Sequence, residues 1–203
     1  AQEGQITLSS PASIWVPIRR LVGIGLLTPG NGGLIDLGVG GLEIAAEGIS
    51  AEDLRAGILA GRGDGGWNGT SGISSTAAST AGGARAVGYV VAPDGTSRVS
   101  FTAPGDTDLD GVVNVFDLVA VNGSGTYGRG APADWNDGDF NYDGVTNVFD
   151  LVSVGSAAVY GQGRFLPSES AAAARAVPEP GGVAIGVGSL LVAIWGSRRR
   201  PAA

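Results

Sequence analysis

Two stretches of this chain repeat one another, and they restrict its folding more than any other feature. The first reads Asp106-Thr107-Asp108-Leu109-Asp110-Gly111-Val112-Val113-Asn114-Val115-Phe116-Asp117. The second reads Asp139-Phe140-Asn141-Tyr142-Asp143-Gly144-Val145-Thr146-Asn147-Val148-Phe149-Asp150. They start 139 − 106 = 33 residues apart, and both continue as Asn-Val-Phe-Asp-Leu-Val, so they form an internal duplication. Each leads into an apolar stretch, 118–121 and 151–154, suited to one exiting helix. No helix is expected before either loop, because Pro104 interrupts 101–105 and 134–138 reads as a polar turn.

The chemistry of the repeats follows from their spacing. Calcium is a hard cation that takes six to eight oxygens, and a twelve-residue loop supplies them from positions 1, 3, 5, 7, 9 and 12. Here these are Asp106, Asp108, Asp110, the Val112 carbonyl, Asn114 and Asp117, then Asp139, Asn141, Asp143, the Val145 carbonyl, Asn147 and Asp150. Gly111 and Gly144 stand at position 6, where the sharp turn excludes a Cβ. Position 12 is Asp rather than Glu, and Asp117 and Asp150 are expected to close each sphere as bidentate ligands. Two calcium ions are therefore expected. Their expected role is to hold the module together rather than to switch it, since no preceding helix is present to be levered open.

Charge supports this reading. Between 101 and 165 nine Asp face Arg129 and Arg164, so 2 − 9 = −7, while the rest of the chain balances ten Arg against ten acids. The whole net charge of −7 thus sits in one segment, which suits a cation and excludes nucleic acid as a partner. The chain has no Cys and no His, which removes disulfides, thiol nucleophiles, Ser-His-Asp catalysis and the usual zinc hydrolase sites. Glu43, Glu47, Glu52 and Asp53 are the only carboxylates that invite a glycosidase reading, and nothing fixes their separation. The expectation is a protein without catalytic activity.

Upstream, 37 Gly and few aromatic residues favour turn-rich β structure. Residues 1–48 alternate apolar and small residues, as in Ile35-Asp36-Leu37-Gly38-Val39 and Leu42-Glu43-Ile44, which predicts short strands in a solenoid or a sandwich. A helix is predicted over 51–60, with Ser50 as cap, Asp53 at N3, Leu54 and Ile58 on one face and Gly61 as the stop. Residues 62–84 read as loop, with Trp67 packing that loop against the β unit. Residues 86–92 and 96–103 flank Pro93-Asp94-Gly95 as a hairpin. Arg62-Gly63-Asp64 reads as an ordinary turn, and the acceptor-like Asn68-Gly69-Thr70 and Asn122-Gly123-Ser124 as coincidence.

Duplicated loop-plus-one-helix units that begin Gly-Asp and end Asn-x-x-Asp-Leu resemble the type I dockerin family, over about residues 105–160. The resemblance implies an ion-ordered fold whose paired helices bind a cohesin on another protein. Positions 10 and 11, which help to choose that partner, are Val115-Phe116 and Val148-Phe149, where a Ser-Thr pair is common in well-known members. The C-terminus resembles a PEP-CTERM sorting signal: Val177-Pro178-Glu179-Pro180, an apolar span 181–196, then Arg198-Arg199-Arg200. That resemblance implies processing by an exosortase near the Pro-Glu-Pro, with the protein held transiently in the inner membrane before release to the envelope or extracellular matrix. A plain transmembrane anchor is the alternative, sixteen residues giving roughly 24 Å of helix. No signal peptide is visible at Ala1, so either one has been removed or the chain continues a longer one.

The sequence therefore predicts an α+β chain. A β-rich region (1–104), solenoid- or sandwich-like, precedes a small α dockerin-like EF-hand module (105–161), a linker (162–176) and a sorting signal (177–203) with a C-terminal apolar helix. Three roles stay open: a structural or adhesive surface protein, an adapter that docks a cohesin-type partner, and the C-terminal part of a larger polysaccharide-active secreted enzyme.

Overall fold

The structure is a computed structural model that describes the backbone of strands β1 (Gly4–Thr7), β2 (Ser13–Trp15) and β3 (Leu21–Thr28), and residues 32–165 in full. The linker from 166 onward, the span 181–196 and the sorting-signal residues 177–180 and 198–200 lie outside the described residues. Among the described residues no helix is long and apolar enough to cross a membrane.

Helices and strands are mixed. The chain shuttles between two sheets: β1, β3 and β5 (Gly41–Ile44) are parallel neighbours in one, and β2, β4 (Leu34–Asp36) and β6 (Gly72–Ser74) are parallel neighbours in the other. Leu21 stands opposite Gly41 and Leu34 opposite Gly72, so each pass stacks in register on the one before. A hairpin then closes the first sheet. Strand β8 (Ser97–Thr102) runs antiparallel to both β5 and β7 (Ala86–Val91). The turn at Pro93-Asp94-Gly95 is as expected, with the Asp94 carboxylate accepting from Thr96 N at 2.9 Å.

Apolar alternation explains the core. Ile35, Leu37, Leu42, Ile44, Ile73, Val87 and Val99 are fully buried between the layers, together with Leu54 and Ile58 of helix α1 (Ala51–Arg62). Asp36 breaks the apolar pattern yet is buried, because its Oδ1 accepts from Gly38 N and Thr76 N, each at 2.9 Å. Those bonds satisfy the Oδ1 of a carboxylate that is mostly withdrawn from water.

Three local expectations are corrected. Helix α1 runs to Arg62 and is stopped by Gly63 (φ 60°), not by Gly61. Gly61 lies inside it for a packing reason: a Cβ there would sit 1.9 Å from the Ile73 carbonyl of β6. Ser50 caps α1 by accepting from Asp53 N, but Asp53 returns the contact by accepting the Ser50 hydroxyl at 2.7 Å rather than a backbone N–H. Finally, 62–84 is not loop throughout. It contains β6 and helix α2 (Thr76–Ser79), because Ile73 can bury against α1 and β6 can pair with β4.

Candidate metal centre

The two repeats fold alike. Each loop runs into a helix, α3 (Val115–Ser124) and α4 (Val148–Ala157), and neither follows an α-helix. The first follows β8. The second follows a single 3-10 turn at Trp135–Asp137, where a polar turn was expected but where Trp135 is fully buried.

Within each loop, hydrogen bonds recur at the same offsets. Position 1 holds the turn at position 6: Asp106 Oδ2 accepts from Gly111 N at 3.1 Å and Asp139 Oδ2 from Gly144 N at 3.0 Å. Position 3 accepts from position 5, as Asp108 from Asp110 N and Asn141 from Asp143 N. Position 5 accepts from position 7, as Asp110 from Val112 N and Asp143 from Val145 N. Leu109 and Tyr142, at position 4, both adopt φ 61°, a left-handed conformation that costs a non-Gly residue about 1 kcal/mol. Their buried side chains offset that cost.

Position 12 does more than the sequence suggests. Asp117 Oδ1 accepts from Thr107 N and its hydroxyl, both at 2.9 Å, and Oδ2 accepts from Asn114 N at 2.8 Å. Asp150 repeats the pattern with Phe140 N, Asn141 N and Asn147 N. Both residues are therefore also the N3 members of capping boxes, with Asn114 and Asn147 as caps accepting from Phe116 N and Phe149 N. One carboxylate thus ties the start of its loop to the start of its helix.

Of the predicted ligands, the fold gathers Asp106, Asp108 and Asp117. One carboxylate oxygen from each lies within 4.8 Å of the others, close enough to hold a metal ion. Asp110 is turned toward the backbone of its own loop. Among the described residues the acids of the second loop form no such group, since position 3 is the amide Asn141 and Asp143 accepts from its Nδ2. The second loop has a different sign of a cation. Asp139 is 1% exposed, and its Oδ1 finds no hydrogen-bond partner among the described residues. A buried carboxylate oxygen left so is costly unless something positive meets it.

Burial also raises the carboxylate pKa values. Desolvation pushes Asp106 up to about 7 despite its bonds from Thr102 and Gly111 N. It raises Asp108, Asp139 and Asp150 as well. A bound cation relieves this penalty directly.

The loops are fixed to the β part of the chain. Trp135 lies on β7 at Gly88, where a Cβ would come within 2.5 Å of the indole. Tyr142 donates to the Val87 carbonyl, and Tyr89 donates to Asp134. Trp67, expected on the β unit, packs edge-on against Tyr142 at 5.9 Å between centroids. Arg62, in the Arg-Gly-Asp tripeptide, also lies over Tyr142, at 5.9 Å. One core cluster therefore runs from Ile35 to Val159 without a break at 104.

Each loop is braced by the segment that leaves the other loop's helix. Val145 bridges to Pro132, and Gly128 N donates to the Thr146 carbonyl. Val112 bridges to Arg164, and Gly161 N donates to the Val113 carbonyl. Phe165 N donates to Gly111 O, so 162–165 belong to the module and not to the linker expected from 162.

The carboxylates Glu43, Glu47, Glu52 and Asp53 are all exposed and gather no site. Thr102 and Arg55, the donors that reach Asp106 and Asp139 from outside the loops, were missed by sequence reading. Compared with known proteins, the chain matches no family model, no curated protein and no solved structure.

Proposed function

We propose that this is an exported, non-catalytic protein of the cell surface or extracellular matrix, in which residues 105–161 form a dockerin-like module held together by two calcium ions. The observation that carries the reading is the equivalence of the two loops. The same residues at the same offsets make the same turns, both have left-handed position 4, and each presents buried carboxylate oxygens toward its centre. All-oxygen donors of this kind suit calcium, and Asp106, Asp108, Asp110 and Asp117 with Asn114 and the Val112 carbonyl would hold the first ion. Asp139, Asn141, Asp143, Asn147, Asp150 and the Val145 carbonyl would hold the second.

The parallel ladders of the N-terminal part support a solenoid-like rather than a sandwich-like arrangement, since sandwiches are built from antiparallel sheets. The C-terminal Val177-Pro178-Glu179-Pro180, apolar span and Arg198-Arg199-Arg200 support export, processing by an exosortase and a transient stay in the inner membrane.

The test is calorimetric calcium titration of the whole chain, because the module shares its core with β7, β8 and α1, followed by circular dichroism. Two bound ions with a gain of order, both lost in the Asp117→Asn/Asp150→Asn variant, support the reading. No binding at millimolar calcium removes it.

A second reading, the adapter that docks a cohesin-type partner, draws on one observation. Phe116 and Phe149 are 78% and 67% exposed, and Val115, Val119, Val148 and Val152 extend the same apolar faces of α3 and α4. Phe116→Ser/Phe149→Ser would abolish capture of such a partner while leaving calcium binding intact.

A further inference from the structure

We infer that Arg55 makes the two cation sites unequal, setting the second loop as the weaker one and linking its occupancy to helix α1. This rests on the cation reading above. The first residue of each loop accepts from Gly at position 6 through its Oδ2. It also accepts one donor from outside the loop, and here the repeats differ. In the first loop that donor is the neutral hydroxyl of Thr102, at the end of β8. In the second it is the guanidinium of Arg55, whose Nη2 lies 3.0 Å from Asp139 Oδ2. Arg55 Nε lies 3.6 Å from Asp134 as well, and both ion pairs among the described residues are its own.

The guanidinium stands against the loop itself. A Cβ on Gly144 would be 3.8 Å from Nη2, so Arg55 covers the turn at position 6 from the outside. The other oxygen of Asp139, Oδ1, is buried and without a partner among the described residues, which leaves it to a cation. An ion there shares one carboxylate with a fixed positive charge, and the two repel across a partly buried site.

Ligand charge acts in the same direction. The first loop carries Asp106, Asp108, Asp110 and Asp117. The second carries Asp139, Asp143 and Asp150 with a neutral Asn141, and Arg55 cancels part of what remains. Affinity in such loops follows the ligand charge. The first loop is therefore the tight site. The second fills only as calcium rises further, and filling it weakens the hold of α1 on the module by the same factor.

The experiment is calcium titration of the full chain by calorimetry. Two separable steps are expected in the unmodified protein, with Asp117→Asn removing the tight step and Asp150→Asn the weak one. Replacing Arg55→Gln removes the charge, and the weak step is expected to tighten by about tenfold or more while the tight step stays in place. Arg55→Lys keeps the charge and is expected to leave the weak step within a few-fold of its original position. If Arg55 only props Asp139, Gln and Lys both loosen the weak step, and the inference fails. It fails equally if the weak step belongs to the first loop. Absence of any binding in the unmodified protein removes the cation reading first and this one with it.

Discussion

Trp135 Nε1 donates to the carbonyl of Asp106 at 2.8 Å, so the residue that opens the first loop is held by the turn that precedes the second. The bond is buried, and the indole that makes it lies against Gly88. Trp135→Phe leaves the Asp106 carbonyl without this donor and is expected to cost about 2–3 kcal/mol from the lost bond and the cavity together. Gly88→Ala alone drives a methyl into the ring, with a cost of about 1–3 kcal/mol. Because the two sites touch, the double variant should cost less than the sum, the smaller ring making room for the methyl. Urea denaturation of the four proteins measures the coupling.

Gly61→Ala opposes two effects of different size. Alanine favours a helix by about 1 kcal/mol over glycine. The added Cβ would meet the Ile73 backbone carbonyl at 1.9 Å, and neither can rotate away. The clash dominates, so α1 must lift from β6, and a net loss of about 2 kcal/mol or more is expected. The drop in melting temperature reads it.

The buried carboxylates set how stability changes with pH. Asp106 titrates at about 7 in the folded chain and near 3.9 when unfolded, so the folded state binds its proton more tightly. Stability therefore falls as pH rises through the window from about 4 to 7, when a chelator keeps cations away. Asp108, Asp139 and Asp150 shift in the same direction. With saturating calcium the slope should reverse, because the ion competes with the proton for the same oxygens. Melting curves at several pH values, with chelator and with calcium, give both slopes.

The C-caps of α3 and α4 are equivalent, yet one is Gly125 (φ 73°) and the other Ala158 (φ 55°). Ala158 is exposed, so nothing but backbone sterics decides its preference. Ala158→Gly should relieve left-handed strain and stabilise the chain by about 0.5–1 kcal/mol, visible as a higher urea midpoint.

What could be read in advance divides by distance along the chain. Every hydrogen bond made within either loop joins residues at most ten positions apart, so Asp, Asn and Gly at fixed offsets predict the turns, the helices behind them and the gathering of Asp106, Asp108 and Asp117. The strands at Leu34–Asp36 and Gly41–Ile44 and the hairpin were legible for the same reason, from alternation and one turn. Strand β6 was not. Ile73 is the only large apolar residue between 68 and 86, and its strand conformation comes from pairing with β4 far upstream. Arg55 reaches Asp139 across 84 positions, and nothing in the sequence of α1 marks it. Trp67 was recognised as a packing residue, but its partner Tyr142 lies far downstream in the second loop.

The crossed bracing of the loops also determines where the molecule would bear load. Any pull on the chain beyond Phe165 is delivered through Arg164 and Phe165 to Val112 and Gly111, in the loop that follows β8. Tension therefore passes from the tail into the first loop and on into the sheet, like a rope made fast close to its post. The second loop and both helices lie in the stretch of chain that this contact bypasses.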